Sequence, residues 1–169
     1  MKVEAVLFDL DNTLANTDIL QDIRNRRAYE ELTDAILNKV IVFEKGVEIL
    51  KELKSMGVKI GVVTNSGRAY AERLLTYFKL NYFDVVITYT DVGAGGKKPS
   101  PDGILMALKQ LNVSPSQNVW FVGDDYTDIE AAYRAGVKPI IPTWGPKNSV
   151  SQMPAAVLSS TFFFRKCRR

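Results

Sequence analysis

Five short runs of apolar and β-branched residues, set apart by stretches of helical periodicity, constrain this chain more than any other feature. Val3–Phe8, Lys59–Val63, Val85–Ile87, Asn118–Val122 and Val137–Ile141 each read as a buried strand, and Ala155–Leu158 reads as a sixth. Glu44–Met56 carries Val47, Leu50 and Leu53 on one helical face and stops at Gly57. Arg68–Phe78 and Pro101–Leu111 each carry an apolar stripe, the second with Ser100 as N-cap and Pro101 as its first helical residue. Thr127–Glu130 reads as a capping box that opens a further helix ending at Gly136. Strands alternating with helices predict an α/β fold, a mostly parallel sheet with helices on both faces. Ligands in such folds bind beyond the carboxyl ends of the strands, so the residues that follow each strand are the informative ones.

Composition removes whole classes of chemistry. The 169 residues hold no histidine and one cysteine, Cys167, which excludes a disulfide framework, histidine metal sites and histidine general bases. Catalysis must rest on carboxylates, hydroxyls, lysine or arginine. Against 22 basic residues stand 19 acidic ones, and a net charge of +3 is too small to indicate nucleic acid or a membrane surface as partner. Val3–Phe8 is too short for the core of a signal peptide and no stretch reaches the length of a membrane span, so a soluble cytoplasmic protein is expected. The tail Thr161–Arg169 reads as a short final helix or a frayed end.

Four loops carry the chemistry. Asp9 and Asp11 follow the first strand, two residues apart, so both carboxylates can reach one site. Like charges this close are costly unless a cation or a shared proton relieves them. Asp124 and Asp125 follow another strand and bring more carboxylates to the same sheet edge. Such a cluster, without soft ligands, suits a hard cation, Mg²⁺ before others. Asp128 taken alone reads as an acid favoured in the first turn of a helix. Thr64–Gly67 offers a hydroxyl and free backbone N–H groups at a strand-to-helix turn, which makes either an anion site or a routine cap. Lys98 stands directly before Pro99 and is thereby held extended, able to neutralise carboxylates and a phosphate oxygen. Lys97 lacks that restraint and reads as solvated. The glycine-rich stretch around Gly93–Gly96 is not a Walker A loop, which would need glycine at 91 and Ser or Thr at 98, where Asp91 and Lys98 stand.

In these residues and their order the sequence resembles the haloacid dehalogenase (HAD) superfamily. Asp9-Leu-Asp-Asn-Thr13 looks like its first motif, Thr64 at a strand end its second, Lys98 in Lys-Pro-x-Pro its third, and Gly123-Asp-x-x-x-Asp128 its fourth. The resemblance covers Met1 to about Gly145 and is nearest to the phosphoglycolate phosphatase-like branch. It implies a Rossmann-like HAD core made of residues 1–13 and 44–169, with a shortened helical cap insertion over 14–43. It implies a Mg²⁺-dependent phosphatase that hydrolyses small phosphomonoesters through an aspartyl-phosphate. A phosphomutase and a catalytically silent binding protein on the same fold are the alternatives. Asp9 would be the nucleophile, and Asp11 would protonate the leaving oxygen and then deprotonate the attacking water. Thr64, Asn65 and Lys98 would hold the phosphoryl oxygens. The Asp9 carboxylate, the Asp11 backbone carbonyl and Asp124 would bind Mg²⁺, with Asp128 close by to hold the metal shell or Lys98. The second acid, Asp11, favours phosphate over halide chemistry. The implied partner is a small phosphorylated metabolite, with the chain a monomer or homodimer.

Residues 14–43 can build about two short helices leaning over one side of the site. Ile23, Leu32, Ile36 and Leu37 are expected to tie them to the core. Arg24, Arg26 and Arg27 cannot all face inward, because neighbours on a helix diverge by about 100°. One or two of them at most can reach an anionic substrate.

Overall fold

Strand β1 (Ala5–Phe8) is buried along its whole length, and the other elements are arranged around it. The computed structural model describes residues 3–145 and 156–158. After β1 come β2 (Ala15–Asn16), α1 (Gln21–Arg26), α2 (Asp34–Leu37), β3 (Ile41–Val42), α3 (Glu44–Ser55), β4 (Lys59–Val63) and α4 (Arg68–Tyr77). They are followed by β5 (Val85–Ile87), α5 (Tyr89–Val92), α6 (Asp102–Leu111), β6 (Val119–Val122), α7 (Tyr126–Arg134), β7 (Lys138–Pro142) and β8 (Ala156–Leu158). The tail Thr161–Arg169 lies outside the described residues. Among those described, no helix is long and apolar enough to cross a membrane.

Six strands form one parallel sheet in the order β5-β4-β1-β6-β7-β8. The chain builds outward from β1 in one direction and then returns to build in the other. This is the Rossmann order, with its switch point between β1 and β6. Phe8 is level with Val62 on one side and Val122 on the other, so the loops after β1, β4 and β6 leave the sheet together.

Alternation along the strands makes two cores. Val6 and Phe8, with Ile60, Val62, Trp120 and Val122, face α3 and α4 through Ile49, Leu50, Leu53, Tyr70 and Leu74. Ala5 and Leu7, with Val63, Val119 and Phe121, face α6 and α7 through Ile104, Leu108, Ala131 and Ala132. On α3 the buried positions include Ile49, while Val47 is only half-buried.

Two helix starts differ from the sequence expectation. Helix α6 begins at Asp102 with Pro101 as its cap residue, and the Ser100 hydroxyl accepts the Asp102 N–H at 3.3 Å. Helix α7 is capped by Asp125 and Asp128 rather than Thr127 and Glu130, because the two acids exchange side-chain bonds with each other's backbone N–H groups. Between β1 and α3 lie α1, α2 and a two-residue antiparallel ribbon of β2 with β3. Ile23, Leu32 and Leu37 are buried in the core of the α3 face, and Ile36 packs against it.

Candidate active site

At the switch point the loops after β1 and β6 bring Asp9 and Asp124 together, and the first turn of α7 adds Asp128. One carboxylate oxygen from each lies within 4.8 Å of the others, and all three residues are buried. Lys98 enters this cluster from the loop before α6. Its Nζ donates to Asp9 Oδ1 at 2.5 Å, Asp128 Oδ1 at 2.6 Å and the Val63 carbonyl at 3.0 Å. An ammonium has three N–H groups, so all three are engaged. Asp128 is divided in its work: Oδ1 meets Lys98 while Oδ2 accepts the Asp125 N–H at 3.0 Å. Its carboxylate lies so close to Gly123 that a Cβ there would fall 2.4 Å from Asp128 Cγ.

Three buried carboxylates against one ammonium leave two negative charges in a site made only of oxygen donors. The burden is visible in the acids themselves. Burial pushes Asp9 well above the usual carboxylate range; Lys98 opposes this, while Asp128, Asp11 and Asp124 add to it. Burial, followed by the charge of Asp128, raises Asp124 to about 6. Against this, the Thr13 hydroxyl donates to Asp124 Oδ1 at 3.0 Å. A hard divalent cation matches both the charge and the donor set.

Asp11 lines the same cavity but sends its carboxylate elsewhere. Oδ1 accepts from Tyr70 at 2.7 Å and Thr17 at 2.8 Å and pairs with the Arg24 guanidinium at 2.9 Å. Oδ2 accepts from Ser66 at 2.6 Å and Thr64 at 3.5 Å. Burial and the neighbouring Asp11 hold the Tyr70 hydroxyl above its usual value, so it remains a donor.

The loop after β4 supports both halves. The Thr64 hydroxyl accepts the Ser66 N–H at 3.0 Å. The Asn65 side chain clasps the backbone of Lys98, accepting its N–H at 2.8 Å and donating to its carbonyl at 3.0 Å. These loops and α1 enclose a cavity of about 500 Å³, lined by Asp9, Thr64, Lys98 and Asp124 at its floor and by Arg24 and Arg27 on one side. Arg26 points away and pairs with Asp22 and Glu31. Lys97 is not free in solvent as its sequence context suggests; it lies half-buried over the Tyr89 ring.

Several members of the site carry no sequence signal strong enough to single them out. Tyr70 and Thr17 reach Asp11 from two segments that no motif marks, and Ser66 joins them from the Thr64–Gly67 turn, a convergence that only the fold creates. Thr13 is the exception, since it stands at a fixed offset from Asp9 and Asp11.

A family profile described as haloacid dehalogenase-like hydrolase matches residues 20–141. The chain is 30% identical to pyrophosphatase PpaX of Bacillus mycoides (strain KBAB4), with 85% of each chain covered. It is 38% identical over 111 residues to a phosphoglycolate phosphatase of Aquifex aeolicus (strain VF5), covering 65% of this chain and 51% of that one. Among solved structures, a HAD phosphatase from Thermococcus onnurineus matches with a TM-score of 0.76 at 23% identity over 96% of both chains. A HAD-superfamily hydrolase from Ehrlichia chaffeensis matches with a TM-score of 0.75 at 23% identity over 100% of both. The chain belongs to the haloacid dehalogenase-like hydrolase family. Its alignment to PpaX spans 189 positions, more than the 169 residues of this chain, so that relative carries extra residues within the matched region.

Proposed function

We propose that this chain is a Mg²⁺-dependent phosphatase that hydrolyses small phosphomonoesters through an aspartyl-phosphate on Asp9, with residues 14–43 as a small cap. The observation that carries the reading is the buried Asp9–Lys98–Asp128 bridge at the switch point, with Asp124 beside it. The relatives named as a pyrophosphatase and a phosphoglycolate phosphatase support phosphate chemistry.

An Asp9 oxygen attacks phosphorus as the ester P–O bond breaks, and Asp11 gives the leaving oxygen its proton. Water then attacks the phosphorus of the acyl phosphate, Asp11 takes a proton from that water, and Asp9 is released with inorganic phosphate. Thr64, the Asn65 N–H and Lys98 hold the phosphoryl oxygens through the exchange; a phosphoryl oxygen that meets Lys98 competes for one of its three engaged N–H groups. Asp11 must likewise surrender a partner before it can exchange a proton with substrate. Arg24 is the partner that a phosphate would draw away, since it alone of the five is cationic. The Asp9 carboxylate, the Asp11 backbone carbonyl and Asp124 would hold Mg²⁺, with Asp128 at its margin. When bound, the ion would neutralise charge on the transferring phosphoryl.

Incubation with p-nitrophenyl phosphate, with and without Mg²⁺, tests the reading. Turnover that needs Mg²⁺ and stops with EDTA is expected. Full activity after exhaustive dialysis against EDTA would remove the metal from the reading, and silence under every condition would favour a binding protein.

A further inference from the structure

At the rim of the cavity two cations share one aromatic ring and no acid. The Arg27 guanidinium lies 4.9 Å from the centroid of Tyr89 and donates to its hydroxyl at 3.0 Å. The Lys97 ammonium lies 4.3 Å from the same centroid. Among the described residues neither pairs with a carboxylate, whereas Arg24, Arg26, Arg68 and Arg73 all do. Arg27 is exposed and Lys97 half-buried, so both are reachable from the cavity, and the repulsion of two like charges on one ring would be relieved by an anion bound between them.

The backbone places this pair deliberately close to the inner site. Lys97 is extended and directly precedes Lys98, so the two side chains leave in opposite directions, one to Asp9 and one to Tyr89. Tyr89 is anchored to the loop after β4 by its N–H, which donates to the Ser66 carbonyl at 3.0 Å. Arg27 ends α1 in the left-handed conformation, at φ 58°. Glycine is the usual residue at such a cap, and an arginine there carries a backbone cost. Beyond the ring the cavity continues into a second space of about 390 Å³ between Arg27, Tyr29, Tyr89 and Gly93.

We propose that Arg27, Tyr89 and Lys97 form a subsite for a second anionic group of the substrate. The substrate class is then a small phosphate ester or anhydride that bears a further phosphate or carboxylate near its scissile phosphoryl group. The proposal rests on the phosphatase reading of the inner site and adds to it the class of compound that the site selects. The two residues position the distal group; they take no part in bond making.

Three phosphonates that cannot be hydrolysed separate the possibilities by calorimetric titration of the full chain at fixed Mg²⁺. Methylphosphonate carries one anionic group, phosphonoacetate adds a carboxylate, and methylenediphosphonate adds a second phosphonate. Wild type is expected to bind at least one of the latter two about tenfold or more tightly than methylphosphonate, and which one names the distal group. Arg27→Gln and Lys97→Met should each cut that advantage to about threefold or less, and Arg26→Gln should leave it intact. Arg27→Gly should lose the advantage without a fall in Tm, because it removes the side chain and the backbone strain together. Equal affinity of wild type for all three compounds would overturn the subsite, as would an advantage that survives in both variants. Hydrolysis of p-nitrophenyl phosphate is read separately. Turnover without a second-anion advantage refutes the subsite alone, and an advantage without turnover refutes the hydrolytic reading alone.

Discussion

Asp9 and Asp11 are two residues apart yet have different surroundings, and their variants should fail differently. Asp9 has a single ammonium partner, while Asp11 has five donors from four segments. Asp9→Asn cannot form an acyl phosphate, so turnover is expected to fall by at least ~10³-fold. Asp11→Asn should still accept phosphate but release it slowly, leaving a labelled enzyme that acid quenching can trap. Retention of more than about a tenth of the wild-type rate by Asp9→Asn would show that the nucleophile is another group. The raised acids also fix a pH dependence. Asp124 has a folded-state value of about 6 against an ordinary 3.8, so the folded chain keeps a proton that the unfolded chain gives up. Stability present below the unfolded value is therefore lost as pH rises through about 6, by on the order of 3 kcal/mol without metal, with Asp9 acting in the same direction. Mg²⁺ needs the ionised acids, so the Tm increase on adding it should grow from about pH 4 to 7; an increase independent of pH would remove the metal from these carboxylates. The charge-bearing floor of the site was legible in the sequence because Asp9, Thr64, Lys98 and Asp124 each stand just past a strand or beside a proline. The convergence on Asp11 was not, since Thr17 belongs to no motif and Tyr70, inside α4, reads as ordinary buried helix.

At the scale of elements, α7 and β6 are joined by a contact that only glycine allows. Gly123 directly follows β6, and a Cβ at this position would lie 2.4 Å from both Cβ and Cγ of Asp128. The clash cannot relax cheaply, because Asp128 is held by Lys98 on one oxygen and by the Asp125 N–H on the other. Gly123→Ala should therefore cost about 1–3 kcal/mol of stability, as overpacking of a fixed neighbour does. It should also weaken Mg²⁺ binding about tenfold or more through displacement of Asp128, as measured by titration calorimetry. Unchanged Mg²⁺ affinity in a folded Gly123→Ala chain would separate Asp128 from the metal site. The strands of the parallel sheet were legible to within a residue or two, because β-branched runs buried on both faces have no polar alternation to blur them, whereas the two-residue strands β2 and β3 carry no such run and were not. Helix starts were less so. Asp125 and Thr127 are both competent caps, and the choice of Asp125 follows from the return bond of Asp128, which is set by Gly123 and Lys98 rather than by local sequence.

Taken as a whole, the molecule ties residues 14–43 into its apolar core. Leu14, Leu20, Ile23, Leu32 and Leu37 belong to the same apolar cluster as Val6, Phe8 and Leu50. Helix α4 holds the segment from its side: Arg73 donates to the Leu32 carbonyl at 3.2 Å and pairs with Asp34, and the Tyr77 hydroxyl donates to Asn38 at 2.5 Å. At the base, β2 pairs with β3 and the Phe43 N–H donates to the Leu14 carbonyl at 3.0 Å. A segment fastened at both ends and along its middle has no free hinge, and its opening should require much of the core to open with it. In native-state hydrogen exchange, the Leu37 amide, bonded to the Thr33 carbonyl at 3.0 Å, is therefore expected to open within about 1 kcal/mol of the amides of β1. Leu37 is fully buried, so Leu37→Ala should cost about 2–5 kcal/mol and lower both sets of amides together, within one cooperative unfolding transition. Exchange at Leu37 several kcal/mol easier than in β1, or a Leu37→Ala change confined to residues 14–43, would make the segment an independently opening lid. If it opens only with the core, substrates reach the site past a fixed wall carrying Arg24 and Arg27, and selection falls to the charges on that wall rather than to closure over the ligand.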